Sequence, residues 1–241
     1  MKKQYLQDII EKYHLGGLVE RVKISVENKT LTTRFISIKK NLLGTIIAPN
    51  VELDNCEFGV YDTTQLLKLI GITDNFLVLE VEKQGKIANK LTIKDNDYNL
   101  EYVLADIMLT PSVPAIEEPE YNMVAPINIE FITRFLKAKK ALSTEVFIVE
   151  QSTDVDDKQA IKFTLGGTEG YTNKVNFTLP TTTHSKTGKV TKFTIEEFSE
   201  ILASNKEFKS SELSVSEDGL LKIDFENEEG VKVSYILVGK D

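Results

Sequence analysis

The chain has 241 residues, 41% of them hydrophobic and 27% charged, and 29 Lys and Arg stand against 37 Asp and Glu for a formal net charge of −8. This balance is globular and excludes wholesale disorder, and the negative charge repels nucleic acid, so any DNA contact requires a local concentration of base. No run of about 18 apolar residues exists to span a bilayer, and MKKQYLQDII lacks a signal peptide's apolar core, so a soluble, cytoplasmic protein without membrane contact is expected.

Tyr5, Leu6, Ile9, Ile10 and Tyr13 share one helical face, which predicts a first helix over residues 3–13, ended by Gly16 and Gly17. From 19 to 60 apolar residues alternate, as in Val22, Ile24 and Val26, then Leu31, Phe35, Ile36 and Ile38. Breaks at Asn28-Lys29 and Asn41 read as hairpin turns between half-buried antiparallel strands. Asp62 is a good N-cap for a second helix carrying Leu66, Leu67, Leu69 and Ile70 up to Gly71. Segments 76–82, 86–93 and 98–108 alternate around Gln84-Gly85 and Asp95-Asn96, a meander of strands.

Residues 110–126, TPSVPAIEEPEYNMVAP, hold four of the six prolines and read as an extended surface connector. Beyond it, Asn128 can cap a third helix with Ile129, Ile132, Phe135, Leu136 and Leu142 on one side. Thr133, Arg134, Lys137 and Lys140 lie on the other, with Lys139 nearby. Strands are expected at 145–150, 160–165 and 174–179, separated by a polar turn at 154–158 and by Gly166-Gly167. A fourth helix, 194–205, opens as Thr-x-Glu-Glu and buries Ile195, Phe198, Ile201 and Leu202. Strands at 211–216, 220–226 and 231–238 finish the chain, with turns at Asp218-Gly219 and Glu229-Gly230.

Lys3 and Asn128 are 125 residues apart, and Thr63 and Thr194 are 131 apart. Such near-equal offsets predict an α+β chain of two tandem similar domains, 1–109 and 127–241, joined by the connector 110–126. Each domain is expected to hold antiparallel sheets and two helices.

No catalytic constellation emerges. The single Cys56 reads as a buried structural thiol, and His14 and His184 have no partners at metal-ligand spacing, the latter in a Thr-rich loop at 181–191. There is no phosphate-binding Gly-rich loop and no nucleophile elbow, so no enzyme, cofactor or metal site is expected. One charged feature rises above background: Arg134, Lys137, Lys139 and Lys140 face a single acid, Glu130, on the third helix. These cations can reach phosphate oxygens, or they can simply suit the C-terminal half of a solvated helix, and both readings stay open.

The order of elements resembles the PCNA-like two-domain family of DNA polymerase sliding clamps, in particular the form carried by tailed bacteriophages. FGVYDTTQLLKLIG is similar to the family's strand into the second helix, MVAPINIEFITRFLKAKKAL to the connector end and basic third helix, and KVNFTLP to a late strand of the second domain. The resemblance spans nearly the whole chain as a pattern of elements and scattered local matches. It implies a DNA clamp fold with two helices on one face of each domain's sheets. It also implies a head-to-tail homo-oligomer, a trimer, that encircles duplex DNA without reading sequence and tethers a polymerase, with a clamp loader as second partner, in the host cell cytoplasm.

By the same resemblance, Arg134, Lys137, Lys139 and Lys140 face DNA, joined by Lys12 and Lys68 from the first two helices. Tyr102, Leu104 and Ile107 would meet Val175, Phe177 and Leu179 of a neighbouring subunit. Met123, Val124, Pro126 and Ile127, with Tyr235, Leu237 and Val238, would line a pocket for partner peptides. The fourth helix departs from the family pattern, because Glu196, Glu197 and Glu200 precede Lys206 and Lys209. A non-enzymatic β-rich phage structural or assembly module would share the strands and the acidity, with no need for Arg134, Lys137 and Lys140.

Overall fold

Helix α1 (Lys3–His14) turns Leu6, Ile9, Ile10 and Tyr13 inward, as its apolar spacing dictates, and packs against α2 (Thr63–Gly71) and the strand Leu42–Ala48. The computed structural model describes residues 1–85, 87–154, 156, 158–167, 172–182, 190–208 and 211–240. Two units divide the chain: Met1–Pro114 with Glu228–Val233, and Ala115–Asn227 with Ser234–Asp241.

In the first unit β1 (Val22–Glu27), β2 (Thr30–Ile36), β3 (Leu42–Ala48) and β4 (Cys56–Val60) form an antiparallel array in the order β4–β1–β2–β3. Asn28 and Lys29 both adopt positive φ, 49° and 60°, the handedness that a two-residue hairpin needs to match strand twist. The Asp62 carboxylate accepts from the Gln65 amide at 2.7 Å and caps α2, as its position in the sequence predicts. A second antiparallel array, β5–β6–β7, is made by β5 (Val78–Gln84), β6 (Ile87–Lys94) and β7 (Asn99–Val103).

The second unit contains β8 (Tyr121–Ile127), α3 (Ile129–Ala141), β9 (Val146–Thr153), β10 (Gln159–Gly166), β11 (Lys174–Pro180), β12 (Val190–Thr194), α4 (Ile195–Ala203), β13 (Ser211–Ser216), β14 (Leu220–Glu226) and, from Ser234 on, β15 (Lys232–Val238). Its arrays run β12–β9–β10–β11 and β15–β14–β13–β8. The first matches β4–β1–β2–β3 position for position, and β13–β14–β15 repeat the meander β5–β6–β7. The helix–strands–helix–strands plan therefore occurs twice, each time with antiparallel sheets and two helices packed side by side.

A cluster of phenylalanines fixes the helices of the second unit to its sheet. Phe135 of α3 meets Phe147 of β9 at 5.2 Å and Phe198 of α4 at 4.7 Å between ring centroids, and Phe131 meets Phe163 of β10 at 5.1 Å, all edge-on. Phe135 is fully buried. Phe135→Ala should therefore lower stability by about 3–5 kcal/mol in denaturant unfolding. A loss under about 1 kcal/mol would mean that this cluster does not hold the helices.

Four sequence expectations need correction here. The connector is shorter than 110–126, because residues 121–127 pair with β13 as strand β8. The third meander strand stops at Val103 and is followed by a 3-10 turn, Ile107–Leu109, where the Asp106 carboxylate accepts from the Met108 amide. Helix α3 ends at Ala141, and Leu142 already has extended backbone. The loop expected at 181–191 ends in strand β12, while its residues 183–189, including His184, lie outside the described residues.

Candidate nucleic-acid interface and subunit edges

Asn128 starts α3 by accepting from the Phe131 amide at 3.0 Å, and the helix then buries Phe131, Ile132, Phe135 and Ala138. The 3.6-residue period leaves Arg134, Lys137 and Lys140 on the exposed side. They are not equivalent. Arg134 donates to Glu130 at 2.7 Å, one turn earlier, which offsets its charge locally. Lys137 and Lys140 make no ion pair among the described residues, and exposed Lys68 on α2 makes none either.

Lys139 points elsewhere. Its Nζ donates to the Ser199 hydroxyl at 2.6 Å and lies 3.8 Å from a Glu200 oxygen, while Ser199 in turn donates to the Glu196 carbonyl at 2.8 Å. Lys139 thus ties α3 to α4, and sequence spacing could not separate it from its neighbours. Lys12, expected on a polar face, is corrected outright. Only 3% of it is exposed, because it follows Ile9 by three positions and precedes buried Tyr13, at the margin of the apolar stripe. A buried ammonium cannot reach a phosphate. On α4, Glu196 is exposed, Glu200 is half-buried and Glu197 is buried, and exposed Lys206 follows the helix; Lys209 lies outside the described residues.

Strands β7 and β11 each end their arrays. Tyr102 of β7 is buried, with its hydroxyl donating to the Asp62 carbonyl and accepting from the Asp62 amide, both at 3.0 Å; burial pushes its phenol up to about 12. Leu104 is buried beyond the strand, Ile107 is half-buried in the 3-10 turn, and Val103 is 63% exposed. On β11, Val175, Phe177 and Leu179 alternate as half-buried residues, and Phe177 stacks on Phe163 at 5.5 Å.

The residues expected to line a peptide pocket do not converge. Met123 and Ile127 are buried on one side of β8, whereas Pro126 is exposed on the other and Val124 is half-buried there. Tyr235 and Leu237 are buried while Val238 is exposed. Successive strand residues point to opposite faces, so the seven belong to two faces. Moreover β13 and β14 separate β8 from β15, which places these strands about 14 Å apart at the usual inter-strand spacing.

Cys56 is buried, and burial raises its thiol pKa. His14 contacts Glu20 and Thr64, each at 3.1 Å. Among the described residues no group of three His, Cys, Asp or Glu is placed to hold a metal ion, and no helix is long and apolar enough to cross a membrane.

No protein-family model and no curated protein matches the chain. Solved structures do. PCNA from A. fulgidus, determined with the C-terminal region of FEN-1 bound, superposes with a TM-score of 0.78 at 16% identity, covering 100% of this chain and 97% of that one. PCNA from Entamoeba histolytica gives 0.77 at 17% identity over 100% and 97%. PCNA from Thermococcus kodakaraensis gives 0.73 at 16% identity over 100% and 98%. The chain has the two-domain fold of the PCNA sliding clamps.

Proposed function

We propose that this protein is a DNA polymerase sliding clamp of the tailed-bacteriophage type, a homotrimeric ring that encircles duplex DNA in the host cell cytoplasm. The observation that carries the reading is the twice-repeated clamp plan, which matches PCNA structures over the whole chain at TM-scores up to 0.78. The mechanism is topological, and the protein is not an enzyme. Lys137 and Lys140, with Lys68, meet phosphates without reading bases, so the ring slides. Edge strand β7 of one subunit pairs with edge strand β11 of the next, a head-to-tail contact whose rotation closes.

A polymerase held by such a ring stays near its primer end, and effective concentration supplies processivity. A clamp loader would open and close the ring. Two neighbours support the partner side of this reading: A. fulgidus PCNA carries the C-terminal region of FEN-1, and a further match at TM-score 0.72 and 12% identity is a PCNA2–PCNA3 complex from Sulfolobus tokodaii.

Light scattering across a concentration series tests the ring, with a species at three times 27.1 kDa expected. Primer extension on circular DNA with the cognate polymerase and loader should lengthen products when the protein is added. A strict monomer that leaves product length unchanged would overturn the proposal and favour the assembly-module alternative.

A further inference from the structure

The connector runs from Pro114 to β8 with little to hold its middle. The Pro114 carbonyl accepts from Arg34 at 2.9 Å, and Tyr121 begins β8. Between them no backbone group of residues 115–120 makes a hydrogen bond among the described residues. Ile116 and Pro119 are half-buried, while Ala115, Glu117, Glu118 and Glu120 are exposed, so apolar packing holds this segment only weakly.

One side chain supplies the tie. Glu118 accepts through both carboxylate oxygens from Lys222 Nζ on β14, at 3.0 and 2.9 Å. Lys222 points away from the core, because Leu221 and Ile223 on either side of it fill the buried face of the strand. Its side chain is 17% exposed, lies 3.4 Å from an Asp224 oxygen and stands 5.9 Å from the centre of the Tyr121 ring. Burial alone would lower its pKa, but Glu118 and Asp224 raise it, so the ammonium stays charged.

Two features oppose this closure. Glu118 and Asp224 share one cation, and exposed Glu117 and Glu120 flank Glu118 in the chain, so like charges crowd the clasp. The Tyr121 hydroxyl is buried without a hydrogen-bond partner. Burial, and next the charge of Glu118, raise its phenol pKa, which sets that hydroxyl beside the clasp. A buried unpaired hydroxyl costs free energy that water returns on opening. A charge-assisted pair on one side and an orphaned hydroxyl on the other bring the closed and open forms close in free energy.

We propose that residues 115–120 form an ionic strap across β14, shut by Lys222 on Glu118 and opened when ions compete for that pair. Opening bares Lys222 and hydrates Tyr121. The device lies within the second unit, so it stands whether or not the ring does.

Endoproteinase Glu-C reads the strap in the full chain. A protease needs an opened segment, Glu117 and Glu120 are cleavable there, and Pro119 blocks the bond after Glu118. Cleavage is followed by mass spectrometry at about 20 and about 500 mM NaCl, each rate being divided by that of the matching free peptide 113–122. At low salt Lys222→Met and Glu118→Gln should each be cut about tenfold faster than the parent, and Tyr121→Phe about threefold more slowly. High salt should speed the parent toward the first two and leave Lys222→Met unchanged. Glu118 is exposed, so its variant keeps the fold even if Lys222→Met does not. Equal rates in the parent and Glu118→Gln, a parent rate indifferent to salt, or faster cutting of Tyr121→Phe would each overturn the proposal.

Discussion

Val103→Asp and Val175→Asp should each reduce the protein to a monomer of 27.1 kDa, and an equimolar mixture of the two should give a dimer of twice that mass and nothing larger. The reasoning is geometric. In the proposed head-to-tail ring every contact uses β7 of one subunit and β11 of the next, so each variant spoils one side of every junction and keeps the other intact. One sound junction can form between the two variants, and it cannot propagate. Val103 is 63% exposed and Val175 half-buried within the chain, so the fold itself should survive both changes. At the junction each substitution loses about 1.5–3 kcal/mol of apolar burial and adds a carboxylate with no partner. Together these weaken association by more than about a hundredfold. Multi-angle light scattering reads the result, and trimers surviving in both variants would remove β7 and β11 from the interface.

Lys137→Gln with Lys140→Gln should flatten the salt dependence of duplex binding, whereas Lys139→Gln should leave it unchanged. In a trimer the first pair supplies at most six phosphate contacts, and each contact contributes about −0.9 to the slope of log K against log salt, so the double change removes up to about 5. Lys139 is already engaged by Ser199 and Glu200, which hold its ammonium toward α4 and offset its charge locally. Its loss should instead appear as a small drop in thermal stability. Anisotropy of a labelled duplex over a KCl series measures all three proteins. If Lys139→Gln flattened the slope by half as much as the double change, Lys139 would be as free to meet phosphate as Lys137 and Lys140.

The helices were legible because the 3.6-residue stripe is strong in each, and Asp62 and Asn128 announce their caps. The duplication was legible from landmark spacing alone. What escaped the sequence has identifiable causes. A proline-rich stretch reads as a linker, yet Pro126 lies in a strand, because β8 is the last strand of its array and a proline there removes no bond the sheet needs. Strand β12 reads as a polar loop because only Thr191 and Phe193 of VTKFT mark an alternating inward face before Thr194. The residues expected around a peptide pocket lie apart, and chain order does not reveal that two strands separate β8 from β15. Lys12, Lys137 and Lys139 look alike in sequence, and only packing decides which is buried, which is free and which is tied to the next helix.

The duplication is uneven in its exposed base, with two uncommitted lysines on α3 and one on α2, while α4 turns carboxylates to solvent. In the proposed ring of three such chains the positive potential would therefore repeat three times around the bore. A duplex inside would rest against one of three stations at a time and pass from one to the next as it turns, leaning rather than centred.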